Sequence, residues 1–180
     1  MSRQTVRLAF VGAVLVAVPA ARAQEPPKPG PEHQKLDYFV GTWTSEGDLK
    51  ANPAMPAGKY TSKDECQWFK GGFALKCDSK GSGPMGPVEG ASFVGYSGEE
   101  KVYTVYGIDS TGMVPTTVSR GSVQGDTWVF TDESKMGGKM VKTRYTMKQL
   151  TPASYTFKWE MQGEGGAWST VMEGKSTKVQ

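Results

Sequence analysis

Residues 154–162 read Ser-Tyr-Thr-Phe-Lys-Trp-Glu-Met-Gln, so that Tyr155, Phe157, Trp159 and Met161 alternate with Thr156, Lys158, Glu160 and Gln162. A period of two belongs to a strand with one face in a core and the other in water. The same period begins at Thr42 and is broken about every ten residues by glycine-containing turns. It predicts ten strands, over 42–50, 59–69, 73–80, 89–97, 100–108, 114–123, 126–133, 139–149, 154–162 and 167–177. Connections this short join only antiparallel neighbours, because a parallel crossover needs a dozen or more residues. Closing a meander of this length removes both exposed edges. The expected fold is therefore all-β, an antiparallel up-and-down barrel of about ten strands.

Before the first strand the period differs. Leu36, Phe39 and Val40 recur at spacings of three and four, which predicts a short amphipathic helix with Pro31 in its first turn. The helix enters the barrel at the end where the hairpin turns are tight, and it can plug that end. Trp43 follows just inside, with Gly41 letting the chain turn beneath it.

Parity assigns the faces. On the strand before Tyr155, the residues Val141, Thr143, Tyr145 and Met147 oppose Lys142, Arg144 and Lys148. The two inner faces meet only if the turn at Thr151-Pro152 holds an odd number of residues, since a slip of one inverts a strand. Trp128, Phe130, Trp168, Thr170 and Met172 are further inward candidates. A turn at Gln124-Gly125 sets Ser119 and Gly121 against Phe130 and Trp128, small against large, which leaves free volume. In Gln67-Trp68-Phe69-Lys70-Gly71-Gly72-Phe73, a turn on the two glycines pairs Trp68 with Leu75 and Cys66 with Cys77. The two sulfurs then face each other, and a bridge across so short a loop contributes about 2–3 kcal/mol in the loop-entropy account. The longer connections gather at the opposite mouth and carry Met55, Met85, Met113 and Met136.

Composition changes the picture mainly at the amino terminus. Basic Met1–Arg7, the apolar run Leu8–Val18 and Ala21-Arg22-Ala23 read together as a secretory signal peptide over residues 1–23. Its apolar run is too short for a membrane span, which needs roughly 20 residues. A proline-rich linker at 24–31 and a single domain at 32–180 follow. The expected location is secreted, in the periplasm, where a pair of cysteines favours a disulfide. Arg3, Arg7 and Arg22 lie in the leader, so the formal charge of +3 falls to zero without it. No basic footprint for nucleic acid remains.

Three segments resemble a known group: Glu32–Trp43, Gly90–Tyr103 and Tyr106–Gly112. Gly-x-Trp at the head of the first strand, behind a short helix, is similar to the calycin superfamily of lipocalins, fatty-acid-binding proteins and nitrobindin-like barrels. The closer resemblance is to the secreted bacterial proteins of the domain of unknown function 1579 family. It implies a lipocalin-like barrel and brings no established activity. Nitrobindin-like barrels hold haem through a late histidine, whereas the sole histidine here, His33, precedes the first strand, so no cofactor is expected.

No catalytic constellation is present. A catalytic base must lie deep in a cleft beside its nucleophile, whereas His33 reads as sitting on a surface helix next to a flexible tether; there is no Gly-x-Ser-x-Gly elbow or His-Glu-x-x-His pair, and only Asp64 reads as an inward acid. Soft methionine sulfur suits monovalent copper, but Met136-x-x-x-Met140 is too sparse to predict a metal site. The aromatic interior is the main candidate, because apolar walls with a few hydroxyls describe a pocket for a hydrophobic molecule with a polar end. Its expected lining is Trp43, Trp128, Phe130, Tyr145, Met147, Tyr155, Phe157, Trp159, Met161, Trp168 and Met172. Barrels of about eight strands just fill themselves and those of about ten enclose more. The alternative is an interior that these rings fill completely, leaving an interaction or scaffold protein that works through its loop end.

Overall fold

A computed structural model describes residues 27–52, 55–112, 114–136, 138–163 and 165–179. The expected signal peptide and the first part of the linker lie outside the described residues, as does Met113. Helix α1 (Pro31–Gln34) runs into a 3-10 turn at Lys35–Phe39. Ten strands follow: β1 Gly41–Leu49, β2 Gly58–Trp68, β3 Ala74–Gly83, β4 Gly86–Ser97, β5 Val102–Asp109, β6 Ser119–Gln124, β7 Thr127–Met136, β8 Lys139–Thr151, β9 Ser154–Gln162 and β10 Trp168–Lys178. Each pairs antiparallel with its sequence neighbours, and β1 pairs with β10 to close the barrel. Among the described residues no helix is long and apolar enough to cross a membrane.

Closure depends on small residues where the walls curve. Gly47 of β1 faces Gly174 of β10 across the closing seam. The Phe157 ring from β9 lies over both, with its tip 3.0 Å from where a Cβ on Gly47 would stand and 2.6 Å from one on Gly174. Aromatic bulk from the third strand thus takes the volume that the two glycines leave, and the backbones can approach closely.

The plugged end carries the core. Leu36 is wholly buried and packs with Leu75, Tyr103, Trp128 and Phe130. Several polar ties hold the plug in place. The Tyr103 hydroxyl donates to Glu32 Oε2 at 2.6 Å, and Trp68 Nε1 donates to Asp37 Oδ1 at 2.8 Å. The Tyr38 hydroxyl reaches the Thr151 and Ser154 carbonyls at 2.9 and 2.8 Å. Trp43 Nε1 donates to the Phe39 carbonyl at 2.9 Å. Gly41 has φ +115°, a backbone that a residue with a Cβ resists. His33 serves the same end: its Nδ1 accepts from the Gly30 amide at 3.1 Å, and its ring meets Phe73 and Tyr96 edge-on.

The hairpin of β2 and β3 has the expected register, with Trp68 facing Leu75 and Cys66 facing Cys77, and the cysteines form a disulfide. Tyr145 and Met147 also face Trp159 and Phe157. The odd residue this requires comes from a bulge between Gln149 and Thr151, where exposed Leu150 sits.

Four expectations require correction. A second bulge, between Thr170 and Met172, inverts the parity of β10. Trp168 and Thr170 therefore lie on the outer face beside Gln162 and Glu160, and the Arg144 guanidinium stands 4.4 Å over the Trp168 ring. The turn after β6 is at Gly125-Asp126, so Gly121 faces Phe130 and Val123 faces Trp128. The space over Gly121 is occupied by the Phe130 ring and is not free volume. Strands β3 and β4 continue to a tight turn at Pro84-Met85, so Met85 caps a long hairpin and not a long loop. Finally, β6 begins at Ser119, and only Tyr103, Thr104 and Val105 of β5 pair with it.

Candidate functional site

The barrel is packed at one end and hollow at the other. A cavity of about 600 Å³ opens between β1–β5 on one side and β9–β10 on the other, at the mouth away from the plug. Its deep lining comes from inner-face positions: Leu49, Tyr60, Asp64, Cys77, Ser79, Gly90, Ser92, Gly107, Trp159 and Met172. Met55, Met85, Ile108 and Asp109 stand around the mouth. The hollow arises because three adjacent strands bring small residues inward at one level. Ser79 faces Gly90, and Ser92 faces Cys77 on one side and Gly107 on the other. Opposite them stands the Trp159–Met172 pair.

Asp64 projects into the interior from the middle of β2. Its Oδ2 accepts from Ser62 Oγ at 2.9 Å and from Ser45 Oγ at 3.4 Å, and Ser45 in turn shares a 2.6 Å hydrogen bond with Ser176. The charge is felt across the barrel. Burial is the main cause raising the Tyr60 hydroxyl, with Asp64 adding to it, and Asp109 also acts on Tyr60. Tyr155 is pushed up to about 12, by burial first and by Asp64 in part. Tyr145, deep in the opposite wall, is raised well above its ordinary value by burial, with the charge of Asp64 adding to it. These hydroxyls stay protonated and can donate hydrogen bonds throughout the ordinary pH range.

Of the eleven expected lining residues, the structure brings Trp159 and Met172 to the cavity. Trp43, Trp128, Phe130 and Phe157 are buried in the packing around the plugged half, where Tyr145 and Met147 pack against the core and Tyr155 lies 5.0 Å from Trp43. Met161 faces Thr143 on the inner wall, away from the cavity lining. Trp168 is outside the barrel. Both expectations for the interior thus hold in part: the rings do fill one end, and a pocket exists at the other. The cavity residues not anticipated are Leu49, Tyr60, Ser79, Ser92 and Asp109. The signal for Ser79 and Ser92 was the run of serine and glycine at inward parity in Lys76–Gly83 and Gly90–Gly95, which cannot fill a wall.

Asp132 was also missed as an inward acid. It shares parity with Trp128 and Phe130, and accepts from Ser119 Oγ at 2.8 Å and Thr143 Oγ1 at 2.6 Å. Among the described residues, no group of three or more histidine, cysteine or acidic side chains is arranged to hold a metal ion.

A family model described as "Protein of unknown function (DUF1579)" matches residues 28–178. No curated protein matches the sequence significantly. Among solved structures, the fold is similar to the S-type phycobiliprotein lyase CPES from Guillardia theta, with TM-score 0.58 and 15% identity over 83% of this chain and 93% of that one. It is also similar to Rv2717c from M. tuberculosis, with TM-score 0.60 and 13% identity over 84% and 99% of the two chains. At these identities the likeness establishes a shared lipocalin-like barrel fold.

Proposed function

The chain belongs to the DUF1579 family, whose description assigns no activity, and from that premise we propose that it is a binding protein for a small, largely hydrophobic molecule held in the open half of the barrel. The observation that carries this reading is the 600 Å³ cavity, which lies within the range of small-molecule pockets and combines apolar walls with a few placed polar groups. A barrel of similar fold belongs to a phycobiliprotein lyase. Here binding without catalysis is favoured because the single imidazole is committed to the plug. The working unit is the single domain at 32–180, delivered behind its leader and linker to the periplasm or beyond, and the Cys66–Cys77 bridge supports an oxidising location.

A neutral, environment-sensitive naphthalene ketone tests the reading. Titration should give saturable one-to-one binding with a blue shift of the probe and quenching of Trp159. Ser79→Phe, which fills the cavity from β3, should abolish binding with melting unchanged. Absence of saturable binding by the natural sequence would remove the proposal.

A further inference from the structure

Among the described residues, the cavity lining carries two carboxylates, Asp64 and Asp109, and no lysine, arginine or histidine. Nearby lysines of β2 and β3 have outward parity and pair on the outer surface. Lys59 meets Asp48 at 2.7 Å, Lys63 meets Glu65 at 2.7 Å, Lys76 meets Asp78 at 2.8 Å and Lys80 meets Glu89 at 3.5 Å. Asp64 is thus an interior carboxylate whose partners among the described residues are the hydroxyls of Ser62 and Ser45, both on Oδ2. Asp64 itself lines the cavity. An interior charge without a counter-ion is costly, and that cost falls when a cation arrives. Asp109, whose carboxylate accepts from the Thr111 amide at 2.8 Å, stands at the mouth. Tyr60 feels the charge of both acids and so lies within the field they share. Two aromatic residues, Tyr60 and Trp159, line the same cavity, and the face of such a ring attracts a cation.

Building on the proposed binding function, we propose that the cavity selects molecules carrying an organic ammonium group on an apolar body, with Asp64 as the ion-pair partner and Asp109 biasing entry at the mouth. Anionic amphiphiles of the fatty-acid type are disfavoured by the same two charges. Neutral molecules gain only the apolar part of the interaction.

Three probes with one tail separate these terms: decylammonium, decanol and decanoate. Each is titrated calorimetrically below its micelle concentration and in competition with the naphthalene ketone, so that only cavity binding is counted. Decylammonium should bind at least tenfold tighter than decanol, and decanoate weakest. Asp64→Asn should erase the advantage of decylammonium over decanol, while Asp109→Asn should mainly slow association and weaken its salt dependence. If decylammonium and decanol bind equally, or if Asp64→Asn keeps the preference, charge selection by Asp64 is wrong while the cavity reading stands. If none of the three nor the ketone binds, both fall. Should Asp64→Asn fail to fold, the ranking of the three probes on the natural sequence still decides.

Discussion

Arg144 on β8 joins two side chains that parity alone would not bring together. Its Nε and Nη2 reach Glu160 Oε2 at 2.8 and 2.7 Å, and its guanidinium covers Trp168. Burial by itself would raise the Glu160 carboxyl, but the hydrogen bonds from Arg144 and Lys158 outweigh it and the value is lowered. A depressed folded value contributes stability above the unfolded pKa of about 4.3 and loses it as pH falls through the folded value. The natural protein should therefore melt above Glu160→Gln at pH 7, and the gap should close on acidification below about pH 4. A gap that stays constant from pH 7 to pH 3 would show that the ion pair contributes nothing. The cluster was not legible in the sequence, because the bulge at Val171 that turns Trp168 outward has no residue signature of its own. Asp132 was legible, since it continues the alternation of Trp128 and Phe130.

At the scale of elements, the plug shows how much a periodicity can tell. Leu36, Phe39 and Val40 announced both the helix and its buried face, and Leu36 has become the centre of the core. Leu36→Ala should cost about 2–5 kcal/mol, the range for emptying a fully buried site. Chemical denaturation measures it, and a loss under 1 kcal/mol would show that the plug is not part of the cooperative unit. The disulfide hairpin was equally readable, because a two-glycine turn fixes register and register fixes which sulfurs meet. The hairpin at Pro84-Met85 was misread because proline and glycine usually signal a loop. Here Gly83 and Gly86 pair with each other and extend the ladder to its tip.

For the whole molecule, alternation and turn spacing were enough to specify a closed ten-strand meander, but not where its interior would be empty. Emptiness depends on which small residues share a level around the wall, and that requires the register of several strands at once. The closing seam has the same character, since Gly47 and Gly174 meet across the entire chain beneath Phe157. Gly174→Ala would drive a methyl into the Glu46 carbonyl and the Phe157 ring, and should cost about 1–3 kcal/mol or prevent closure. Gly98→Ala, in open space in the turn after β4, should be nearly neutral. Equal melting of the two variants would mean that the seam tolerates separation. Because the packed core lies in the plugged half and the vacancy in the other, substitutions among the small cavity-lining residues, such as Ser79 and Ser92, can reshape the hollow while the cylinder itself stays intact.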